Sequence, residues 1–227
     1  MRGIFGFTLS EVLITLGIIG VVAALTIPTL IQNANERATV SQVKKVYATL
    51  SSAYTLAVQE NGPPDTWDLS QRGNLIKILA PYLNASKTCF PQTVASHDCV
   101  PNDIYTALNG AARWGYLGNW ALPYSLSLAN GTGLVEMYIY DGCSGSGTRT
   151  CGYFIFNVNN KKGKDNLLGK DHFEIGLTTK GFFFDGYNSS DSTVKAWCDP
   201  KYSGGSNTQG FTCAVYMMRW DNMDYMH

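Results

Sequence analysis

Three kinds of side chain here could do chemistry: one carboxylate at the mouth of an apolar run, six cysteines, and three scattered histidines. Glu11 follows Gly-Phe-Thr-Leu-Ser at positions 6–10 and precedes twenty apolar or small residues, Val12 to Ile31. A carboxylate at the edge of such a segment is costly in lipid, so it needs a partner. Unpaired in an apolar packing it is heavily penalised, whereas a cation beside it makes it tolerable. His97, His172 and His227 stand apart, and no HExxH pattern occurs. Gly142-Cys-Ser-Gly-Ser-Gly lacks the Gly and Lys positions of a phosphate loop and the frame of a nucleophile elbow. It reads instead as a hairpin loop stapled by Cys143 and Cys151. No enzyme signature survives, and the expectation is a non-enzymatic structural subunit.

The cysteines, Cys89, Cys99, Cys143, Cys151, Cys198 and Cys213, all lie beyond the apolar run. An even count on the exported side of a membrane segment favours disulfides. Sequence alone leaves about fifteen connectivities open. The expectation adopted is three local bridges, Cys89–Cys99, Cys143–Cys151 and Cys198–Cys213, each closing a loop that burial cannot stabilise. Zinc is the rival, but no CxxC or paired Cys/His spacing supports it. Free buried thiols are the third possibility.

The elements that must position these residues follow from periodicity. At about 1.5 Å per residue, Val12–Ile31 is long enough to cross the hydrocarbon core of a bilayer. Apolar positions then recur at Val40, Val43, Tyr47, Leu50, Tyr54 and Ala57, with Gln42, Lys44, Lys45, Ser52 and Gln59 largely off that stripe. One helix from about Leu9 to Glu60 would be roughly 75 Å long. Its second half should pack on its own domain, since a free coiled coil would need more heptads. Gly17, Gly20 and Pro28 are weak points in the first half, and Gly62-Pro63-Pro64 ends the helix. Gln71–Leu83 reads as a short second helix. Strands are expected at Leu134–Tyr140, Tyr153–Val158, His172–Thr178, Gly181–Asp185 and Phe211–Met218, with a turn at Thr179-Lys180-Gly181. The fold class is α+β, a long helix followed by an antiparallel sheet.

Composition agrees. With 23 Gly, 13 Tyr and 10 Phe, the exported part looks β-rich and full of turns. Formal net charge is zero with 15% charged residues, which argues against general nucleic-acid binding. Two other readings compete for the N-terminus. A secretory signal could end near Val22-Ala23-Ala24, but Glu11 directly before the apolar core and the run beyond the alanines do not suit it. A plain single-pass anchor explains the hydrophobicity alone.

Gly-Phe-Thr-Leu-Ser-Glu, the apolar run and Pro28 together resemble the N-terminal signature of the type IV pilin superfamily, which includes the pseudopilins of type II secretion. The resemblance covers roughly the first quarter of the chain. It implies a pilin-like fold with a leader at 1–6, a transmembrane and filament-core helix at 7–33, its amphipathic continuation at 34–61 and a disulfide-bearing domain at 62–227. It implies cleavage between Gly6 and Phe7 by a prepilin peptidase and N-methylation of Phe7. The mature subunit would wait in the inner membrane, its C-terminal domain exported to periplasm or cell surface. The assembly platform would then extract it into a helical filament of pilin or pseudopilin subunits. In that filament Glu11 is expected to pair with the Phe7 amine of a neighbour, and Pro28 occupies the place of the helix-kinking proline of pilins. The Cys198–Cys213 loop resembles the C-terminal disulfide loop of many pilins.

Residues 157–173 resemble the loop of pseudopilins whose Asp-rich version binds calcium. Oxygen ligands here would be Asn159, Asp165, Asn166 and Asp171. Lys161, Lys162, Lys164 and Lys170 oppose the field a divalent cation needs, and Asn157 stands where the family often has Asp. A solvated loop is therefore favoured over a calcium site. The same lysines, with Tyr153 or Phe173 as stacking platforms, suggest a DNA-uptake reading, which ordinary surface charge explains better. The Met- and aromatic-rich end, Met217 to His227, suits either a partner-binding tip or a tail folded over the sheet, and the folded tail is preferred. The alternative function, from another class, is a minor pilin-like binding module at a filament tip, acting as adhesin or DNA receptor.

Overall fold

The apolar run and the stripe after it form one helix. In the computed structural model of the chain, α1 extends from Leu9 to Asn61 and passes through Pro28. The structure describes residues 8–90, 99–100, 104–110, 113–115, 124–145, 149–159, 166–202 and 210–227. The chain divides inside α1 into one unit ending at Ala38 and another spanning Thr39–His227. In the first unit the large apolar side chains are uncovered, Leu13 at 61% and Leu25 at 73% exposure. By length and composition this helix can cross a bilayer. A helix that is apolar all round needs an apolar surrounding.

In the second unit α1 buries Val40, Val43, Val46, Leu50, Ala53 and Ala57, the i, i+3, i+4, i+7 face of an amphipathic helix. Each large side chain so removed from water contributes about 1.5–3 kcal/mol. Tyr47 and Tyr54 flank this stripe half-buried, and their hydroxyls donate to the carbonyls of Phe182 (3.4 Å) and Thr179 (2.9 Å). The helix ends where Gly62 takes a left-handed φ of 80°, with its N–H on the Val58 carbonyl. Pro63 and Pro64 forbid continuation.

The sheet is antiparallel throughout, with strands β1 (Ala85–Cys89), β4 (Ser125–Leu128), β5 (Gly133–Ile139), β6 (Thr150–Asn157), β7 (His172–Thr178) and β8 (Gly181–Phe183) in that spatial order. β2 (Ile104–Thr106) and β3 (Arg113–Gly115) form a separate ribbon. Alternation sends Phe154 and Phe156 of β6, Phe173, Ile175 and Leu177 of β7, and Phe182 of β8 into the core shared with α1. The opposite face carries a smaller cluster of Val135, Ile155, Leu168, Val100 and Cys99.

The second helix is short, α2 (Asn74–Leu79), followed by a 3₁₀ turn to Tyr82. Its first turn rests on the buried Glu136 of β5, whose carboxylate accepts the N–H groups of Gly73 (2.5 Å) and Ile76 (2.9 Å). Burial pushes this carboxyl up; the two N–H donors, then the charges of Arg72 and Lys77, pull it back.

One expected strand is wrong. Phe211–Met218 is not extended: Cys213–Trp220 is a helix, α4. A short continuous apolar run fits a buried strand and a buried helix equally. Here Cys213, Ala214 and Met217 are fully buried while Met218 and Arg219 face outward, and Asp221 closes the helix in a left-handed conformation. A further helix, α3 (Asp191–Trp197), was not expected; Ser190 caps it, accepting the Thr193 N–H at 3.2 Å. The two helices are joined by Cys198–Cys213. Arg219 reinforces them by donating to Asp191 and to the Tyr187 and Ser189 carbonyls. The final residues dock, with Met223 and Tyr225 buried.

Candidate functional site

Gly6 and Phe7 lie outside the described residues; Thr8 begins the described chain. Thr8 and Glu11 form a reciprocal capping box. The Thr8 N–H and hydroxyl both donate to Glu11 Oε2 at 2.8 Å, and the Glu11 N–H donates to Thr8 Oγ1 at 3.2 Å. The Thr-x-x-Glu spacing signals this box in the sequence, apart from any intermolecular partner of Glu11. In a single chain one carboxylate oxygen is thus satisfied by its own helix. The other, Oε1, meets no donor among the described residues. The arrangement can hold the first turn of α1 and still accept a cation.

Further along the same helix, Thr15 and Thr26 turn their hydroxyls inward onto the carbonyls of Val12 and Val22 (both 3.0 Å), which hides polar groups from an apolar surrounding. Pro28 has no N–H to give, so the i−4 carbonyl of Ala24 lacks its helical partner.

Three of the four residues suggested for calcium lie among the described residues. Asp165 lies outside the described residues. Asn159 is exposed, and its N–H donates to Asn157 Oδ1. Asn166 is buried and gives its backbone carbonyl to the Thr106 N–H. Asp171 Oδ1 is taken by the Leu167 N–H and by His172 Nδ1, each at 2.8 Å. A carboxylate oxygen already holding two N–H donors is a poor calcium ligand. Among the described residues no group of three or more His, Cys, Asp or Glu converges. The described donors of this set are thus engaged within the fold.

The described residues of the segment link other parts of the fold. His172, isolated in sequence terms, sits fully buried between Asp171 and Asn157, with Nε2 facing the Asn157 amide at 3.2 Å. The adjacent Asp171-His172 pair was the available signal. Residues 167–168 bridge in parallel to Thr106 and His172, and the Tyr225 hydroxyl donates to the Gly169 carbonyl. Gly169 has φ 83°, and a Cβ there would meet Cys213 Sγ at 2.7 Å. This strap therefore ties the β2–β3 ribbon, the sheet and α4 at one place.

The DNA-stacking candidates fare differently. Phe173 is fully buried against Phe156, with centroids 5.5 Å apart, and offers no face to a base. Tyr153 is half-buried in edge contacts with Tyr140 and Phe183. Lys161, Lys162 and Lys164 lie outside the described residues, while Lys170 is exposed.

All six cysteines are paired: Cys89–Cys99, Cys143–Cys151 and Cys198–Cys213. The second staples the β5–β6 connection, where Gly145 bridges to Thr150. On the face away from α1, Glu174 of β7 and Asp185 stand two residues beyond the Gly176–Phe183 pair on neighbouring segments. Burial, then the Asp185 charge, push the Glu174 carboxyl up to about 8. Burial also raises Asp185, against the Gly186 N–H that it accepts.

Comparison with family models, with curated proteins and with solved structures returns no match.

Proposed function

We propose that this chain is a prepilin-type structural subunit. Prepilin peptidase would cut it between Gly6 and Phe7, and the helix beginning at Leu9 would hold it in the inner membrane with Thr39–His227 exported. It would then enter a type IV pilus or type II secretion pseudopilus. One observation carries the reading: Glu11 is the single charged side chain between Leu9 and Gln32, in the first turn of an uncovered apolar helix. Its Oε2 is held by Thr8, and its Oε1 remains for an incoming cation such as the amine of a processed neighbour. The three disulfides, all C-terminal to that helix in the sequence, support an oxidising compartment.

Mass spectrometry of the N-terminal peptide, from protein made in its own host, tests the reading. A peptide beginning at methylated Phe7 is the expected result. An intact Met1 end, or cleavage near Ala24, overturns it. Glu11→Ala should leave processing intact and lower recovery of the chain in sheared filaments by tenfold or more, the scale set by an unpaired buried charge.

A further inference from the structure

The six-stranded sheet ends on β8, whose outer edge no strand covers among the described residues. β8 pairs with β7 through Thr178–Gly181, Leu177–Phe182 and Gly176–Phe183. In a hairpin closed by a two-residue turn the flanking residues exchange both hydrogen bonds, and the next residue turns its amide and carbonyl outward. That residue is Phe182. Its carbonyl accepts from the Tyr47 hydroxyl at a long 3.4 Å, and among the described residues nothing accepts its N–H.

Along this edge lies a groove of about 790 Å³. Its apolar lining includes Tyr47, Val215, Met218 and Tyr187, of which Tyr187 and Met218 are 46% and 39% exposed. Among the described residues the charged lining is cationic: Arg149, Lys180 and Arg219 border the groove, and no carboxylate does. Arg149 and Arg219 each engage one aspartate outside the lining, Asp65 and Asp191. Lys180 has no such partner among the described residues.

Hydrogen bonding, shape and charge select the same occupant. An outward amide on an edge strand calls for extended backbone, apolar walls call for apolar side chains at every second position, and the cations call for a carboxylate. A purely apolar small molecule would leave the amide unused. The strand at the other end of the sheet, β1, would as a second copy bring Lys87 to a cationic groove and is disfavoured. We propose that this groove receives an extended segment of a partner protein, with alternating apolar side chains and at least one carboxylate, added to β8 as a seventh strand. The proposal is independent of how the N-terminus is processed.

Phage-displayed random octapeptides panned against the full chain in lipid nanodiscs provide the test. Enrichment of sequences with alternating apolar positions and Asp or Glu is expected. A synthetic peptide of the enriched sequence should bind more weakly as salt rises. N-methylation of its alternate amides should weaken it about tenfold, because strand pairing would be lost. Lys180→Glu, an exposed rim change, should weaken binding about fivefold without altering the melting temperature. No enrichment, enrichment of basic peptides, or binding indifferent to backbone methylation overturns the proposal. Self-association of the chain that Lys87→Glu strengthens would name the second copy as occupant instead.

Discussion

Glu174 and Asp185 show what one pair of carboxyl groups does to stability. Because the native Glu174 holds its proton to about pH 8, it stays neutral over a range in which the unfolded chain has already lost it. Native protein then binds more protons than unfolded protein, so stability falls as pH rises. The contribution is fully present below the ordinary carboxylate range and is gone above about pH 8, with a limiting slope of about 1.4 kcal/mol per pH unit. The raised Asp185 acts in the same direction. Urea melts between pH 5 and 8.5 should therefore show a falling midpoint, and Glu174→Gln should flatten that dependence. Glu136 is the contrasting case, since its two backbone donors make it a helix anchor. Glu136→Ala should cost roughly 2–4 kcal/mol by leaving the Gly73 and Ile76 N–H groups buried without an acceptor. Neither carboxylate was legible in the sequence, because the meaning of each depends on an element distant in the chain. The Thr8–Glu11 box, by contrast, is written in the local Thr-x-x-Glu spacing, because both partners lie within one turn.

Among the elements, α1 was the most legible. Its stripe repeats over five turns and ends at Gly-Pro-Pro, so pattern and punctuation agree. The structure replaces the two tyrosines of the expected stripe by Val46 and Ala53 at its centre, since tyrosine hydroxyls seek an edge where a carbonyl can be reached. Leu50→Ala should destabilise the Thr39–His227 unit by about 2–5 kcal/mol in chemical denaturation, as the site is enclosed on every side. The strands of the meander that carry aromatic and β-branched residues were found to within a few positions. β1 and β4, rich in Ser and with Lys87 at the edge, gave no such signal. α4 was misread because its buried face is nearly continuous over a length that both periods allow. The cap of α3 is a local matter: Ser190→Ala should cost about 0.5–2 kcal/mol, measurable as a lower denaturation midpoint.

At the scale of the whole molecule, order of elements was readable and their long-range ties were not. Helix first, then an antiparallel meander, follows from the change of period along the chain. The strap at 166–171 could not be foreseen, since its partners Thr106, Cys213 and Tyr225 come from three other regions. The cysteines were legible for the opposite reason: each partner lies close by in sequence, with separations of 10, 8 and 15 residues. That locality has a mechanical meaning. None of the three bridges reaches α1, so within the Thr39–His227 unit this helix is fastened by non-covalent contacts, among them its apolar stripe, two tyrosine hydroxyls, Lys44 on Asp221, and Glu60 and Asn61 on Tyr82. A load drawn along α1 meets no cross-link of sulfur. The helix can peel away from the sheet while every staple stays shut, and when the tension is released it can settle back without any redox chemistry.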